Sequence, residues 1–458
     1  MSTNIQKNQI TEGIIWRQLL LFFFPILLGT FFQQLYNTID SVIVGQFVGK
    51  EALAAVGGSS AQIVAFVVGF FTGLSSGASV TIAQFFGAKD SRSANKGLHT
   101  AYAIAAFGGL ILTVSGIILT PFLLEMMNTP ADIVADSAVY LRIYFAGIIF
   151  VLIYNMGSAI LRATGDSKRP LYYLIVCCII NIVLDVLFVI VFHMGVMGVA
   201  VATLIAQAVS AVLVTLKLMR SEGILKLSVK QIRFHGSILK MQLKLGLPTG
   251  FEAILFSITN IAIQSAVNNF GTDTTAAWSA YGKLDAIFWM VSTAFGIAIT
   301  TFVGQNYGAG KMDRVRKSTR VCLLMDFIVS AVLVVFLIAA RFLLFRLFTN
   351  DSHVIEIGCD MLVLITPWYI VYVFIEVIAG ALRGVGNVVV PVAITLLGVC
   401  VLRIAWLAAM LKISPTISAI ILSYPVTWVI TALAFIIYYI YITHKTIAGS
   451  SKKHVPKL

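Results

Sequence analysis

Charge is scarce in this chain. Only 11% of its 458 residues are Asp, Glu, Lys or Arg, against about 25% in ordinary soluble domains. That is too little to clothe a water-soluble globule of this length, and the mean hydropathy of +0.97 agrees. Cysteine is sparse as well. Cys177, Cys178, Cys322, Cys359 and Cys400 lie within or beside apolar runs with no metal-ligand spacing, so they read as small apolar residues. The six histidines form no HExxH and no Cys/His cluster, which argues against a zinc enzyme. No loop is long enough for a soluble catalytic domain; the longest polar stretch is Lys217 to Lys240. The first 13 residues are polar and show no cleavage signal, so the first apolar run is expected to stay as an anchor.

What the chain does have is hydrophobic length. Apolar runs of roughly 20 residues recur between short polar breaks, enough to cross about 30 Å of hydrocarbon as helix. The runs predict twelve helices, near 16–47, 52–76, 97–121, 134–157, 169–192, 195–216, 241–267, 274–301, 318–344, 355–379, 389–411 and 416–441. The expected fold class is therefore all-α, a polytopic membrane protein.

The net charge of +13 belongs to orientation, and nucleic acid is not an expected partner. Basic residues crowd alternate loops, as at Lys89, Arg92 and Lys96, or Lys311, Arg314 and Lys317. Loops of the other parity carry acids such as Glu125, Asp132 and Asp351. That is the positive-inside pattern. It places both termini and the basic loops in the cytoplasm, facing anionic lipid headgroups. A bacterial cytoplasmic membrane fits this composition.

The chain also repeats itself. Leu161-Arg162-Ala163-Thr164-Gly165-Asp166 returns 221 residues later as Leu382-Arg383-Gly384-Val385-Gly386-Asn387, and Gln84-Phe85-Phe86-Gly87-Ala88 returns as Gln305-Asn306-Tyr307-Gly308-Ala309. Pro25, early in the first helix, is matched by Pro248 early in the seventh. Six spans per repeat leave both repeats in one orientation, so two six-helix lobes are expected around a pseudo-twofold along the membrane normal, facing a central cleft. The expected division is 1–222 for the N-lobe, 223–240 for a cytoplasmic connector, 241–444 for the C-lobe and 445–458 for a basic tail. Pro25 and Pro248 each remove a backbone donor, which bends a membrane helix and can provide a hinge; a static packing kink is the alternative.

These repeated motifs, with Gln33-Gln34-Leu35-Tyr36-Asn37-Thr38-Ile39-Asp40-Ser41 and Gly198-Val199-Ala200-Val201-Ala202-Thr203, resemble the multidrug and toxic compound extrusion (MATE) family. The resemblance runs from Pro25 to about Trp428. It implies a twelve-helix, two-lobed antiporter that expels organic cations or other amphipathic compounds against inward H⁺ or Na⁺; no cofactor is expected, and the protein is expected to be a monomer.

Ionisable residues inside a membrane are costly and mark function by default. Asp40, Asp185, Glu252, Lys283, Asp285, Glu376 and Arg403 stand out. Counting about 1.5 Å per residue puts Asp40 roughly 15 Å below the outer surface, and Asp185 and Thr203 at about 12 Å. Asn181 shares the face of Asp185, one turn deeper. Two carboxylates so placed resist double ionisation and can hold a proton; with the amide and hydroxyl they can instead coordinate Na⁺. In the family, the resemblance implies, the positions matching Asp40, Asn181, Asp185 and Thr203 form the N-lobe cation site.

The C-lobe reads differently. Glu252 and Glu376 lie roughly 10–12 Å from the cytoplasmic face and are expected to line a substrate cavity, with pairing to Arg383 or a loop lysine as the alternative. Some family branches carry an essential acid eight residues after the seventh-helix proline; Phe256 holds that place here, and Glu252 comes one turn earlier. Gln34, Tyr36, Asn37, Asn155 and Gln264 complete the expected cavity, since buried polar groups must find partners or line water. Lys283, Asp285 and Arg403 are expected to be structural, through an Asp285–Arg403 bridge. The competing functions are a lipid-linked oligosaccharide flippase, which needs a strongly cationic cleft where five acids here face two bases, and a membrane-embedded enzyme, for which no catalytic loop cluster exists.

Overall fold

The computed structural model describes residues 9–450, with side chains described for residues 10–444. The side chains of the expected basic tail, 445–458, lie outside that range. Among the described residues every regular element is helical, and twelve helices are long and apolar enough to cross a membrane. They are α1 (Ile15–Val48), α2 (Lys50–Gly87), α3 (Ser91–Met126), α4 (Val134–Ala163), α5 (Lys168–Val191), α6 (Gly195–Met219), α7 (Gly236–Asn268), α8 (Thr272–Gly308), α9 (Met312–Arg346), α10 (Ser352–Gly384), α11 (Val389–Ile413) and α12 (Ile417–His444). Several outrun the apolar windows: α3 covers Ser91–Met126 where 97–121 is apolar enough to score, because backbone hydrogen bonding continues through polar end turns that hydropathy does not count. Apolar side chains face outward along them, as at Ile118 and Phe122 on α3, which suits lipid as solvent.

The chain divides into two compact units. One runs from Phe22 to Ala253; the other comprises the chain as far as Leu21 and from Ile254 on. Both divisions fall inside helices, in α1 just before Pro25 and in α7 just after Pro248, and both helices run through their proline unbroken.

The core of the first unit gathers Leu74, Leu98, Tyr102, Ile148, Ile160 and Val214. Here α2 meets the first half of α7 backbone to backbone. Gly69, Gly73 and Gly77 recur every four residues, opposite Gly246 and Gly250; a Cβ on Gly73 would strike the Gly250 backbone, and one on Gly77 the Gly246 backbone. Small residues at this spacing let membrane helices approach closely, where packing and not the hydrophobic effect drives association. The connecting segment folds as two short 3₁₀ turns, Gly223–Leu225 and Val229–Gln231. It is clasped to α3: Asn95 Nδ2 donates to the Ile224 and Lys226 carbonyls at 3.1 Å, and the Ser228 N–H donates to His99 Nε2 at 3.0 Å.

The core of the second unit is aromatic. Phe288 and Tyr369 stack with centroids 3.9 Å apart, and Tyr372, Trp428 and Phe435 pack around them. The chain before α1 is held in the same unit. Arg314 donates from Nε and Nη2 to the Ile10 carbonyl at 3.1 and 3.0 Å, and Lys311 Nζ to the Thr11 carbonyl at 3.0 Å.

The repeated motifs are helix endings. In the first, the Gly165 N–H bonds the Arg162 carbonyl and the Asp166 N–H bonds the Leu161 carbonyl, both at 2.9 Å; Gly386 and Asn387 do the same to Arg383 and Leu382, again at 2.9 Å. Gly165 and Gly386 sit at φ of 97° and 87°, a conformation in which a Cβ is strained, so glycine closes both helices. Short polar loops are secured by caps: Asp90 accepts the Ser93 N–H at 3.0 Å, and that bond holds its carboxyl below the usual range.

Candidate functional site

In the first unit, α1, α5 and α6 bring Asp40, Asn181, Asp185 and Thr203 together, all buried. The Asp40 carboxyl interacts directly with the Asp185 carboxyl and with the Thr203 hydroxyl. Asn181 Nδ2 points at Thr203 Oγ1, 3.5 Å away. Local backbone aids the approach. Just beyond each acid the helix widens by one residue into a π turn, Val44–Val48 after Asp40 and Val186–Val191 after Asp185. Such widenings are frequent at functional sites.

The decisive property of this cluster is its polarity. Asp40 Oδ1, both oxygens of Asp185 and Asn181 Oδ1 are buried and receive no hydrogen bond from any described group. Each is an acceptor, and a buried acceptor without a donor costs about 1–3 kcal/mol, more when charged. Four such oxygens in one place demand something positive: a proton shared by the carboxyls or a small cation. Among the described residues no group of three or more His, Cys, Asp and Glu could hold a metal ion, so only an ion content with two carboxylates and neutral oxygens suits the site.

Three tyrosines and a glutamine escaped the sequence reading in this role. Tyr36, expected in the cavity, is buried beside Asp40, with Tyr140 and Tyr144 of α4 close by. The Tyr140 and Tyr144 rings stack at 6.2 Å. Gln207, one turn beyond Thr203, donates to Tyr36 Oη at 3.4 Å. The signal was present as i, i+4 spacing on α4 and α6, though aromatics in such helices usually just pack.

The second unit contains a contrasting acid. Asp285 Oδ1 accepts from Tyr281 Oη at 3.2 Å and Tyr369 Oη at 2.5 Å, and Oδ2 accepts from Trp289 Nε1 at 2.7 Å. Donors answer both its oxygens. The expected Asp285–Arg403 bridge does not form. Arg403 instead donates to Thr427 Oγ1 at 2.9 Å and lies over the Tyr424 ring, 4.0 Å from its centroid. Depth counting matched the heights of the two residues but carried no information on which way Arg403 turns. Lys283 is exposed.

Glu376 accepts from Arg383 Nη2 at 3.0 Å, the pairing left open by the sequence. Near it lies an acid the depth count passed over. Asp326 of α9 is fully buried, accepts from Ser330 Oγ at 3.2 Å, and has Oδ2 without a donor. An acid in an apolar run was its signal too. Glu252 is buried in the first unit, where Gln34 and Asn37 are exposed and Asn155 is half-buried. Gln264, in the second unit, donates to Asn268 Oδ1 at 2.8 Å.

The MatE family model matches this chain twice, over residues 25–187 and 248–407. The chain belongs to the MATE family. The double match also reflects the duplication seen in the sequence. Its relatives include the probable multidrug resistance protein YoeA of Bacillus subtilis, 30% identical over 393 residues and covering 84% of each chain. The probable multidrug resistance protein NorM of Thermotoga maritima is 27% identical over 420 residues, covering 89% of this chain and 88% of its own. Among solved structures, MATE in the bent conformation superposes with a TM-score of 0.91 at 20% identity, covering 98% of this chain and 99% of that one. A Pyrococcus furiosus transporter of the MOP superfamily superposes at 0.90 with the same identity, covering 99% and 100%. This MATE protein is an integral membrane transporter, not an enzyme.

Proposed function

We propose that this MATE transporter exports cationic or amphipathic organic compounds in exchange for H⁺ or Na⁺ entering the cell. One observation carries the reading: four unanswered acceptor oxygens of Asp40, Asn181 and Asp185, beside Thr203, buried in a low-dielectric bundle and short of positive charge. Such a site gains most from a small cation. It can exchange that cation only if an opening of the bundle exposes it. The names of the multidrug-resistance relatives support the class of cargo.

In this reading the ion binds Asp40 and Asp185 and bends or releases α1 about Pro25, which displaces the substrate; Pro248 is the corresponding hinge in α7. The division between compact units falls close to each proline, in keeping with that role. Gln34, Asn37, Asn155, Glu252, Gln264 and Glu376 contact the substrate, with acids outnumbering bases in favour of a cation. The protein works as a monomer in a bacterial cytoplasmic membrane, with both termini and the basic loops in the cytoplasm.

The test is efflux of a panel of cationic dyes from vesicles reconstituted with the purified protein, imposing a pH gradient or a sodium gradient separately. One gradient drives efflux in the parent protein and fails in Asp40→Asn. Dye efflux that ignores both gradients, or persists unchanged in that variant, refutes the coupling.

A further inference from the structure

At the ends of α9 and α10 lies a cavity of about 800 Å³ that no step of transport uses. Its size falls in the range of about 300–1,000 Å³ typical of small-molecule sites. Arg341 and Arg346 from α9 line it together with Glu356 and Asp360 from α10, beside the exposed side chains of Phe342 and Val363.

Its position sets what can enter. Arg346 is the last residue of α9 and Ser352 the first of α10, so the cavity lies at the ends of two helices long and apolar enough to span a membrane. Arg341 is five residues inward, about 7 Å, and Asp360 eight residues inward, about 12 Å. Charges at that depth are costly unless something answers them. Yet the four do not answer one another. The ion pairs among the described residues are Arg169–Asp166, Arg316–Asp313 and Arg383–Glu376. Arg341 spends one hydrogen bond on the Ile338 carbonyl of its own helix at 2.8 Å and lies 4.7 Å over Phe342. Glu356 and Asp360 are four apart and share one face of α10.

We infer that this cavity binds the headgroup of a phospholipid carrying a phosphate and a primary amine. Two guanidinium groups match a phosphate, which arginine engages bidentately. Two carboxylates match an ammonium with three N–H donors. Phe342 and Val363 offer the acyl chains an apolar wall, as a lipid entering from the side requires. The balance of two cations and two anions excludes a purely anionic headgroup as best ligand, because it would leave both acids unanswered. A choline headgroup has no N–H to give them. The inference rests on the chain spanning a membrane and not on which ion drives transport.

The experiment uses the full chain in nanodiscs of equal parts dioleoyl phosphatidylethanolamine, phosphatidylcholine and phosphatidylglycerol, with retained lipid counted by native mass spectrometry. Phosphatidylethanolamine should be retained at least about tenfold over either competitor. Asp360→Asn and Arg346→Gln should each abolish that preference; Arg346 is exposed at a helix end, so its replacement leaves folding intact, as a thermal melt would verify. Equal retention of phosphatidylcholine, preference for phosphatidylglycerol, or an undiminished preference in both variants overturns the site. Displacement of the lipid by soluble O-phosphoethanolamine would overturn the lipid as its ligand in favour of a free phosphorylated amine.

Discussion

Replacing Asp185 by Asn keeps the shape of the side chain and removes one of two negative charges from the ion site. The two carboxyls interact directly, and three of their four oxygens have no donor. A cation held about 4 Å from a carboxylate gains about 4 kcal/mol at an effective dielectric of about 20. Losing one such interaction weakens ion binding by about three decades, at 1.4 kcal/mol per decade. A gradient much smaller than that factor no longer loads the site. In reconstituted vesicles, gradient-driven dye efflux should fall to background, while the half-saturating ion concentration moves beyond the accessible range. Stability should not suffer, because the new amide donates to neighbouring acceptors and a repelling charge is gone. A melting temperature equal to or above that of the parent protein would check this. A folded Asp185→Asn protein that pumps dye at the parental rate, with unchanged ion dependence, would refute the reasoning.

Asp285→Asn is the matched control: three donors lose a charged acceptor, so stability should drop by about 1–3 kcal/mol while the ion dependence of efflux stays parental. Arg383→Ala strands the half-buried Glu376 and should cost about 1–3 kcal/mol in unfolding experiments, the range for a polar group left unanswered; Glu376→Gln added to it should recover part of that loss. Gly73→Val has no flexible side chain to push against, only the Gly250 backbone, and should lower stability by at least about 1–3 kcal/mol, the cost of overpacking, or stop folding altogether. The connector should loosen in acid. His235 Nε2 accepts from Arg233 Nε at 3.4 Å, and burial together with Arg233 and Lys96 holds this imidazole below its ordinary value. A depressed imidazole takes its proton later when folded than when unfolded, so the attachment is whole above about 6.5 and weakens as pH falls below it. Hydrogen exchange at the His235 amide, which donates to Thr100 Oγ1, should accelerate across that window once corrected for intrinsic rate.

Much of this was written in the chain. Twelve helices follow from run lengths, because hydrocarbon thickness dictates how many apolar residues a span needs. Asn181 and Asp185 could be placed on one face by their spacing, and counting residues set Asp40 and Thr203 at their level. Height along a helix is legible in this way; direction around it is much less so. Arg403 shows the difference, since its depth suggested Asp285 but its side chain turns to Thr427 and Tyr424. The π turns after Asp40 and Asp185 have no side-chain signature, because they are shifts in backbone hydrogen-bond register. The glycines at 69, 73 and 77 carried a plain signal of close helix approach that apolar counting does not weigh. The repeated Leu-Arg-x-x-Gly motif pointed to duplication and family, while its backbone pattern shows that its immediate work is to end helices.

The grip on the segment before α1 has its own consequence. Arg314, Lys311 and Asn306 reach the carbonyl oxygens of Ile10, Thr11 and Gly13. A mooring made to main-chain atoms depends on the path of this short helical turn, while the buried side chains of Ile10 and Thr11 still limit what can stand there. The three residues doing the holding are hard to replace, because only a side chain with N–H donors can serve those oxygens. An arginine lost at position 314 would remove its bonds to Ile10 and Gly13 even if every residue it held were kept.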